Sequence, residues 1–291
     1  MDRLELDREV CVLGLNRLGE ALTTFLLHFP LAAQLGFLRL AVCMTSPNTN
    51  TKTEPPGPDW LTLPEGSRVL PFLVFMLFTS LPGDLYSGAL FWNYAIKTLA
   101  AAGLLVWLRP WLPEMKWAVS WEALAVGLGI AVLWLACDQW LPTSSQIWAW
   151  FESGMARMPK SKPADQWNPV AHFVDLPALG WGLVAVRVLG RSIIVPMVEE
   201  VFYRSFVYRM LIDTNFNKVE LSTYKPLAFY GTSILFGLAH GDLWMPGILT
   251  GMAYQWLALR KNRLGDSMTA HGVTNLVISI WTIYRGDWRF T

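Results

Sequence analysis

Two adjacent carboxylates, Glu199 and Glu200, lie inside the apolar stretch Pro196–Arg209. An ionisable group at membrane depth costs at least about 2 kcal/mol, so it usually finds a partner or marks a functional site. On a helix, Glu200 lies one turn before Arg204, in the favourable order for an ion pair. Glu199 projects from a neighbouring face and has no such partner. The spacing predicts a structural pair of Glu200 with Arg204, and it leaves Glu199 as a candidate general base or acid.

Two of the histidines occur in later apolar segments, each with a companion one helical turn away. His240 follows Phe236 by four residues, and His271 precedes Asn275 by four. A glutamate and a histidine can deprotonate a water molecule, and an amide can donate to a developing oxyanion, an interaction worth ~3 kcal/mol. Glu199, His240, His271 and Asn275 are therefore candidate catalytic residues for hydrolysis. Glu199, His240 and His271 could instead hold Zn²⁺, so either no cofactor or a divalent metal fits the pattern.

The elements that must position these side chains are membrane helices. Of the 291 residues, 53% are hydrophobic and only 15% are charged, whereas soluble domains carry about 25% charged residues. The composition predicts an all-α, polytopic transmembrane bundle of about seven or eight spans in contact with the lipid bilayer. The net charge of +1 provides no basic field for nucleic acid, which excludes that class of partner.

Apolar runs that could form the spans begin after residue 68. They are Val69–Leu81, Leu90–Leu108, Trp117–Trp140, Leu176–Ile194, Pro196–Ile212, Pro226–His240, Trp244–Leu259 and Ser267–Tyr284. Trp117–Trp140 is the clearest, because its length and aromatic ends suit a hydrocarbon core of ~30 Å. Pro196 is expected to break or restart the helix, since proline lacks the N–H donor and is tolerated in a first turn. Residues 68–291 are expected to form one membrane-embedded helical domain.

The N-terminal residues 1–67 are expected to be poorly structured or extended. Thr45–Pro58 has the polar composition of a disordered tail. The apolar run before it is interrupted by charged residues, and its acidic opening fits a signal peptide poorly. We hypothesise that Met44 is the biological start and that residues 1–43 are a translated upstream extension.

Three short motifs occur in order along the last third of the chain. They are EExxxR at Glu199–Arg204, FxxxH at Phe236–His240 and HxxxN at His271–Asn275. Their order, spacing and placement on apolar segments resemble the CPBP family, which contains type II CAAX prenyl endopeptidases and bacterial Abi or bacteriocin-immunity proteins. The resemblance covers about residues 176–284, the protease-like core. Arg68–Phe72 also looks like a bacterial CAAX-protease-related subgroup associated with exosortase systems.

The resemblance implies an integral membrane endopeptidase, multi-pass in the bacterial inner membrane, that acts on a peptide or membrane protein. It implies that Glu199 and His240 activate water, that His271 assists them and that Asn275 stabilises the oxyanion. Both metal-dependent and metal-free mechanisms have been argued for the family, so the resemblance leaves the cofactor open.

Two alternatives from other classes remain. A noncatalytic membrane scaffold or immunity protein would use the same motifs for packing or partner binding. A proton-coupled transporter would use Arg187, Arg191, Glu199 and Glu200 as a relay, although the sequence lacks the repeated halves that are common in transporters. Glu199 could also form a second structural pair with Arg187 or Arg191.

Overall fold

A computed structural model describes residues 64–83, 85–140, 146–147, 150–151 and 167–288, with only the backbone described at 138–140 and 242. Residues 1–63 lie outside these ranges, and the predictions for the N-terminal segment, including a start at Met44, fall on them.

The described chain is built from helices. The helices are α1 (Pro64–Thr79), α2 (Ala89–Leu108), α3 (Trp121–Trp140), α4 (Pro169–His172), α5 (Pro177–Met210), α6 (Pro226–Leu238), α7 (Trp244–Lys261) and α8 (Gly265–Arg285). Within the same described ranges, 3₁₀ turns lie at Arg109–Trp111, Phe216–Lys218 and Gly241–Leu243. No strand occurs within the described ranges, which confirms the all-α prediction.

Two helices in the described part of the chain are long and apolar enough to cross a membrane, Ala89–Trp111 and Pro177–Met210. Trp121–Cys137 and Pro226–Leu238 are shorter apolar helices. The count of seven or eight spans therefore stays a prediction. The run predicted from Trp117 begins as a helix only at Trp121, because the Ser120 hydroxyl caps it by accepting from the Ala123 N–H at 3.2 Å.

Helix α5 runs without a break through Pro196, so the predicted interruption there is wrong. Two π-helical segments, Gly190–Ile194 and Val201–Val207, flank the turn that carries both glutamates. The Val195 N–H bonds to the carbonyl five residues earlier, as π geometry requires. The wider turn lets the chain pass the proline while remaining helical, and π segments of this kind recur at functional sites.

Helices α6 and α7 approach each other at glycine. A Cβ on Gly237 would lie 2.6 Å from the Ile248 backbone nitrogen, and one on Gly247 would lie 2.9 Å from the Gly237 Cα. Contacts below 3.0 Å to backbone atoms leave no space for a side chain. This close crossing fixes the end of α6, where His240 lies.

Helix α8 is held against α5 and α3 by equally close contacts. Gly272 packs directly on the Ser192 carbonyl in the first π segment of α5. At one end of the bundle, the Thr269 hydroxyl donates to the Ala118 carbonyl at 2.8 Å. At the same end, Glu122 of α3 forms an ion pair with Arg260 of α7 at 2.9 Å. These contacts bring α3, α5, α7 and α8 together around the motif residues.

Candidate active site

Glu200 and Arg204 form a fully buried ion pair on α5. Both side chains have 0% exposure, and the Arg204 Nε lies 3.1 Å from the Glu200 Oε2. The two groups are not aligned for a hydrogen bond, so the attraction is that of an ion pair alone. The guanidinium also lies 4.3 Å from the centre of the Phe236 ring and donates to the Gly251 carbonyl at 3.3 Å. Arg204 thus ties α5 to α6 and α7.

The second oxygen of Glu200 binds His271. The His271 Nδ1 lies 3.0 Å from the Glu200 Oε1, so the ring donates its Nδ1–H to the carboxylate. This bond leaves Nε2 as the available ring nitrogen. The sequence assigned His271 to the same centre as Glu199, but its direct carboxylate partner is Glu200. Glu200 therefore has two roles, since it balances Arg204 and orients His271.

Tyr254 on α7 is a site residue that the sequence reasoning missed. Its ring stacks on His271 with 5.1 Å between centroids and 27° between planes, and it is fully buried. Its hydroxyl donates to Thr274 at 2.7 Å, which holds the ring in place. No motif marks Tyr254 in the sequence, because an aromatic residue in an apolar helix is usually a packing residue.

His240 lies just beyond the last turn of α6. Its Nδ1 donates to the Phe236 carbonyl at 2.7 Å, which leaves Nε2 free to accept or carry a proton. The His240 ring contacts Phe236 at 4.5 Å between centroids and Trp134 at 5.5 Å. Phe236 also contacts His271 at 6.0 Å, so one buried ring lies between the two histidines. The FxxxH spacing thus supplies both the acceptor for Nδ1 and the ring that separates the imidazoles.

Unlike Glu200, Glu199 forms no short-range ion pair or hydrogen bond with a described residue beyond its electrostatic contacts. Its Oε2 is buried without a hydrogen-bond partner. It interacts electrostatically with His240 across the site and with Arg191 and Tyr203 on its own helix. A second structural pair of Glu199 with Arg191 stays open, because the two groups interact electrostatically. The carboxylate is therefore partly desolvated, and it interacts electrostatically with both His240 and Arg191.

Asn275 contacts the first π segment of α5. Its side-chain amide donates to the Arg191 carbonyl at 2.9 Å. In the wider π register, Pro196 would have donated to that carbonyl, which lies five residues earlier, but proline has no N–H. Asn275 thus supplies the donor that Pro196 lacks. The amide has a second N–H, which remains available to an oxyanion.

Zinc would require Glu199, His240 and His271 to converge on one point. Both histidines present Nε2, with Nδ1 bonded to an oxygen, as in many metal sites. However, no three His, Cys, Asp or Glu side chains in the described part of the chain lie close enough together to hold a metal ion. The described arrangement therefore does not fit the predicted zinc site as it stands.

The candidate residues fall within one stretch that matches a known family. Residues 181–277 match the model of the Rce1-like type II CAAX prenyl endopeptidases, and this range includes all three motifs. Neither a curated protein nor a solved structure matches the chain. Residues 181–277 of the chain are therefore similar to the Rce1-like type II CAAX prenyl endopeptidases, a family of membrane-embedded proteases.

Proposed function

We propose that the chain is an integral membrane endopeptidase that hydrolyses a peptide bond through water activated by Glu199 and His240. The observation that carries the proposal is the difference between the two glutamates. Glu200 is engaged by Arg204 and His271, whereas Glu199 has a buried oxygen without a partner. The family match supports protease chemistry. Peptides or membrane proteins are the proposed substrates, and the proposed location is a bacterial plasma membrane.

In the proposed reaction, water is held between Glu199 and the Nε2 of His240. Glu199 takes a proton from this water, and the resulting hydroxide forms a C–O bond with the scissile carbonyl carbon. The carbonyl electrons move to its oxygen, which becomes an oxyanion. The oxyanion then re-forms the C=O bond as the C–N bond breaks, and the leaving amine takes the proton that Glu199 holds. The products are an amine and a carboxylic acid, which releases its proton to water.

His271 and Asn275 have supporting roles in this scheme. Asn275 directs its second N–H to the oxyanion, a type of contact worth about 3–4 kcal/mol when it is removed from an enzyme. His271, with its Nδ1–H fixed by Glu200 and its ring by Tyr254, keeps Nε2 as its available nitrogen beside the site. Because these partners lock the imidazole in one orientation, His271 needs no reorganisation during the reaction.

The test is cleavage of a panel of internally quenched peptides, prenylated and unmodified, by purified protein in detergent. We expect wild type to cleave members of the panel, and Glu199→Ala and His240→Ala to lose this activity. Glu220→Ala is the matched control, because Glu220 is an exposed glutamate in a connecting loop. Thermal unfolding of each variant in the same detergent confirms that the loss is not one of folding.

Three results would count against the proposal. Equal cleavage by wild type, Glu199→Ala and His240→Ala would remove the catalytic assignment. A phenotype that Glu199→Gln leaves intact would favour the noncatalytic scaffold. Proton flux in proteoliposomes that depends on Glu199 would favour the transporter.

A further inference from the structure

The connections between the helices gather at two ends of the bundle. At one end, the Arg68 guanidinium of α1 lies 2.7 Å from the Glu114 carboxylate, in the segment that joins α2 to α3. Glu114 also lies 3.5 Å from the Arg209 guanidinium at the end of α5. The Ser222 N–H, between α5 and α6, donates to the Asn262 side chain after α7 at 3.0 Å. We call the surface formed by the start of α1 and residues 109–120, 208–226 and 260–266 the basic end.

The other turns of the described chain lie away from the basic end. The Trp167 indole donates to the Leu90 carbonyl at the start of α2 at 3.2 Å, and it packs in one cluster with Trp288, which follows α8. Helix α6 begins at the basic end, so the α6–α7 turn that carries His240 comes at its far end. The His240 ring accordingly contacts Trp134, in the second half of α3. These turns form the opposite end of the bundle.

Exposed cations are concentrated at the basic end. They are Arg109, Lys116, Lys218, Lys225, Arg260 and Arg263. At the opposite end of the described chain, Arg285 is the exposed Lys or Arg. By sequence, the connection from α3 to α4 and the residues after α8 add Arg157, Lys160, Lys162 and Arg289, which reduces the contrast without reversing it. Lysine and arginine in short connections are retained on the cytoplasmic side, whereas acidic residues contribute little to this bias. The distribution therefore indicates that the basic end faces the cytoplasm.

The candidate active site is closed toward the basic end. Every residue from Leu264 to Gly272 is buried, and this stretch of α8 covers the distance between the basic end and His271. Gly265 packs directly on the Lys116 carbonyl, in the segment before α3. On α7, Tyr254 covers the His271 ring and has 0% exposure. In the described part of the chain, α8 therefore offers a peptide no path from the basic end to His271.

The α6–α7 turn opens the site toward the opposite end. Helix α6 has 13 residues and spans about 20 Å, less than the ~30 Å hydrocarbon core. The turn after it therefore lies at membrane depth, where irregular backbone must be buried in protein or line a water-filled cavity. Ala239 and Gly241 in this turn are exposed rather than buried in protein, and His240 between them is half-buried. The turn thus lines a water-filled depression that leads to His240.

We propose that the candidate active site opens to the extracytoplasmic side of the membrane, and that its substrates are peptide segments already translocated to that side. The orientation follows from the charge distribution and from the burial around the site, without reference to catalysis. The substrate class rests on the proposed function, because it requires Glu199 and His240 to hydrolyse a peptide bond. A segment that stays in the cytoplasm would meet the closed side of the site and would not reach this pair.

The orientation is tested by labelling single cysteines in spheroplasts of a bacterium that expresses the full chain. The native thiols Cys11, Cys43 and Cys137 are replaced by serine. Ser87→Cys then marks the opposite end and Ser222→Cys marks the basic end, both at exposed serines in turns. We expect a membrane-impermeant maleimide to label Ser87→Cys in intact spheroplasts, and Ser222→Cys only after lysis. Labelling of the denatured protein measures the total thiol of each variant.

A second pair of variants tests the opening at the α6–α7 turn. Ala239→Cys lies in the turn, whereas Ile234→Cys lies on the exposed apolar side of α6, which faces lipid in a membrane. Maleimides react with thiolate, which forms in water and is disfavoured in apolar surroundings. We expect Ala239→Cys to be labelled in intact spheroplasts, and Ile234→Cys, the matched control, to stay unlabelled until the protein is denatured. Protection of Ala239→Cys until lysis would overturn the proposed opening.

The substrate class is tested with one peptide that wild type cleaves and Glu199→Ala does not. The peptide is anchored to a membrane helix and displayed either outside the membrane or in the cytoplasm of cells that express wild type. We expect cleavage of the copy that is displayed outside. Cleavage of the cytoplasmic copy alone would refute the proposal.

The outcomes distinguish this inference from the function on which its substrate class rests. Labelling of Ser222→Cys in intact spheroplasts, with Ser87→Cys protected, would turn the site toward the cytoplasm and overturn the proposal, whatever the cleavage assay shows. If no peptide shows Glu199-dependent cleavage, the proposed function fails and the substrate class fails with it. The labelling still decides the orientation in that case, because it does not depend on catalysis.

Discussion

Arg204→Met should strongly destabilise the protein, because it leaves the Glu200 carboxylate buried without its cation. Both side chains are fully buried, so water cannot replace the lost partner. Removing one member of a buried ion pair costs about 3–5 kcal/mol. The contact of the guanidinium with Phe236 is lost as well, although methionine retains part of that packing. The free energy of unfolding can be measured by titration with sodium dodecyl sulfate in mixed micelles, followed by tryptophan fluorescence.

The double variant Glu200→Gln with Arg204→Met should be more stable than Arg204→Met alone. It removes the uncompensated charge, and the glutamine oxygen can still accept the His271 Nδ1–H. Arg260→Met is the matched control, because Arg260 pairs with Glu122 at the exposed end of the bundle, and we expect no measurable loss of stability there. The reasoning is refuted if Arg204→Met unfolds like wild type. It is also refuted if the losses of unfolding free energy in Glu200→Gln and in Arg204→Met simply add in the double variant.

Three further outcomes follow from the packing of the site. Gly237→Ala should destabilise the protein by about 1–3 kcal/mol and lower its turnover, because the new methyl group meets the Ile248 backbone. Gly231→Ala on the same helix has space for the methyl group and should behave as wild type in both assays. Asn275→Leu should lower kcat about a hundredfold if the amide donates to the oxyanion. The same variant should lower the free energy of unfolding by about 1–3 kcal/mol, because the Arg191 carbonyl loses its donor. Because Glu199, His240 and His271 do not converge on one point, treatment with 1,10-phenanthroline should leave the cleavage rate unchanged. A rate that the chelator abolishes and that added Zn²⁺ restores would contradict this.

Local spacing predicted the contacts that lie within one helical turn. Glu200 and Arg204 are four residues apart, and so are Phe236 and His240, so about one helical turn brings each pair together. The apolar composition likewise favoured helices over strands, because a helix satisfies its own backbone hydrogen bonds in an apolar environment. These features depend on periodicity alone, which is why the sequence was sufficient for them.

Contacts between helices could not be derived in the same way. The bond from His271 to Glu200 spans 71 residues, and it depends on how α8 packs on α5. The continuity of α5 through Pro196 was missed because the local signal favours a break, whereas the π turn and the Asn275 amide compensate for the missing donor. The basic end likewise combines residues from distant segments, and no short motif marks such a combination.

The most direct test of the central claim compares the hydrolysis rates of wild type and Glu199→Gln on the same peptide. Glutamine has the shape of glutamate but cannot take a proton from water, so only the base is removed. We expect kcat to fall by about 10²–10⁴-fold while the unfolding midpoint in detergent stays close to that of wild type. Wild-type turnover by a correctly folded Glu199→Gln variant would show that Glu199 is not the base that activates water.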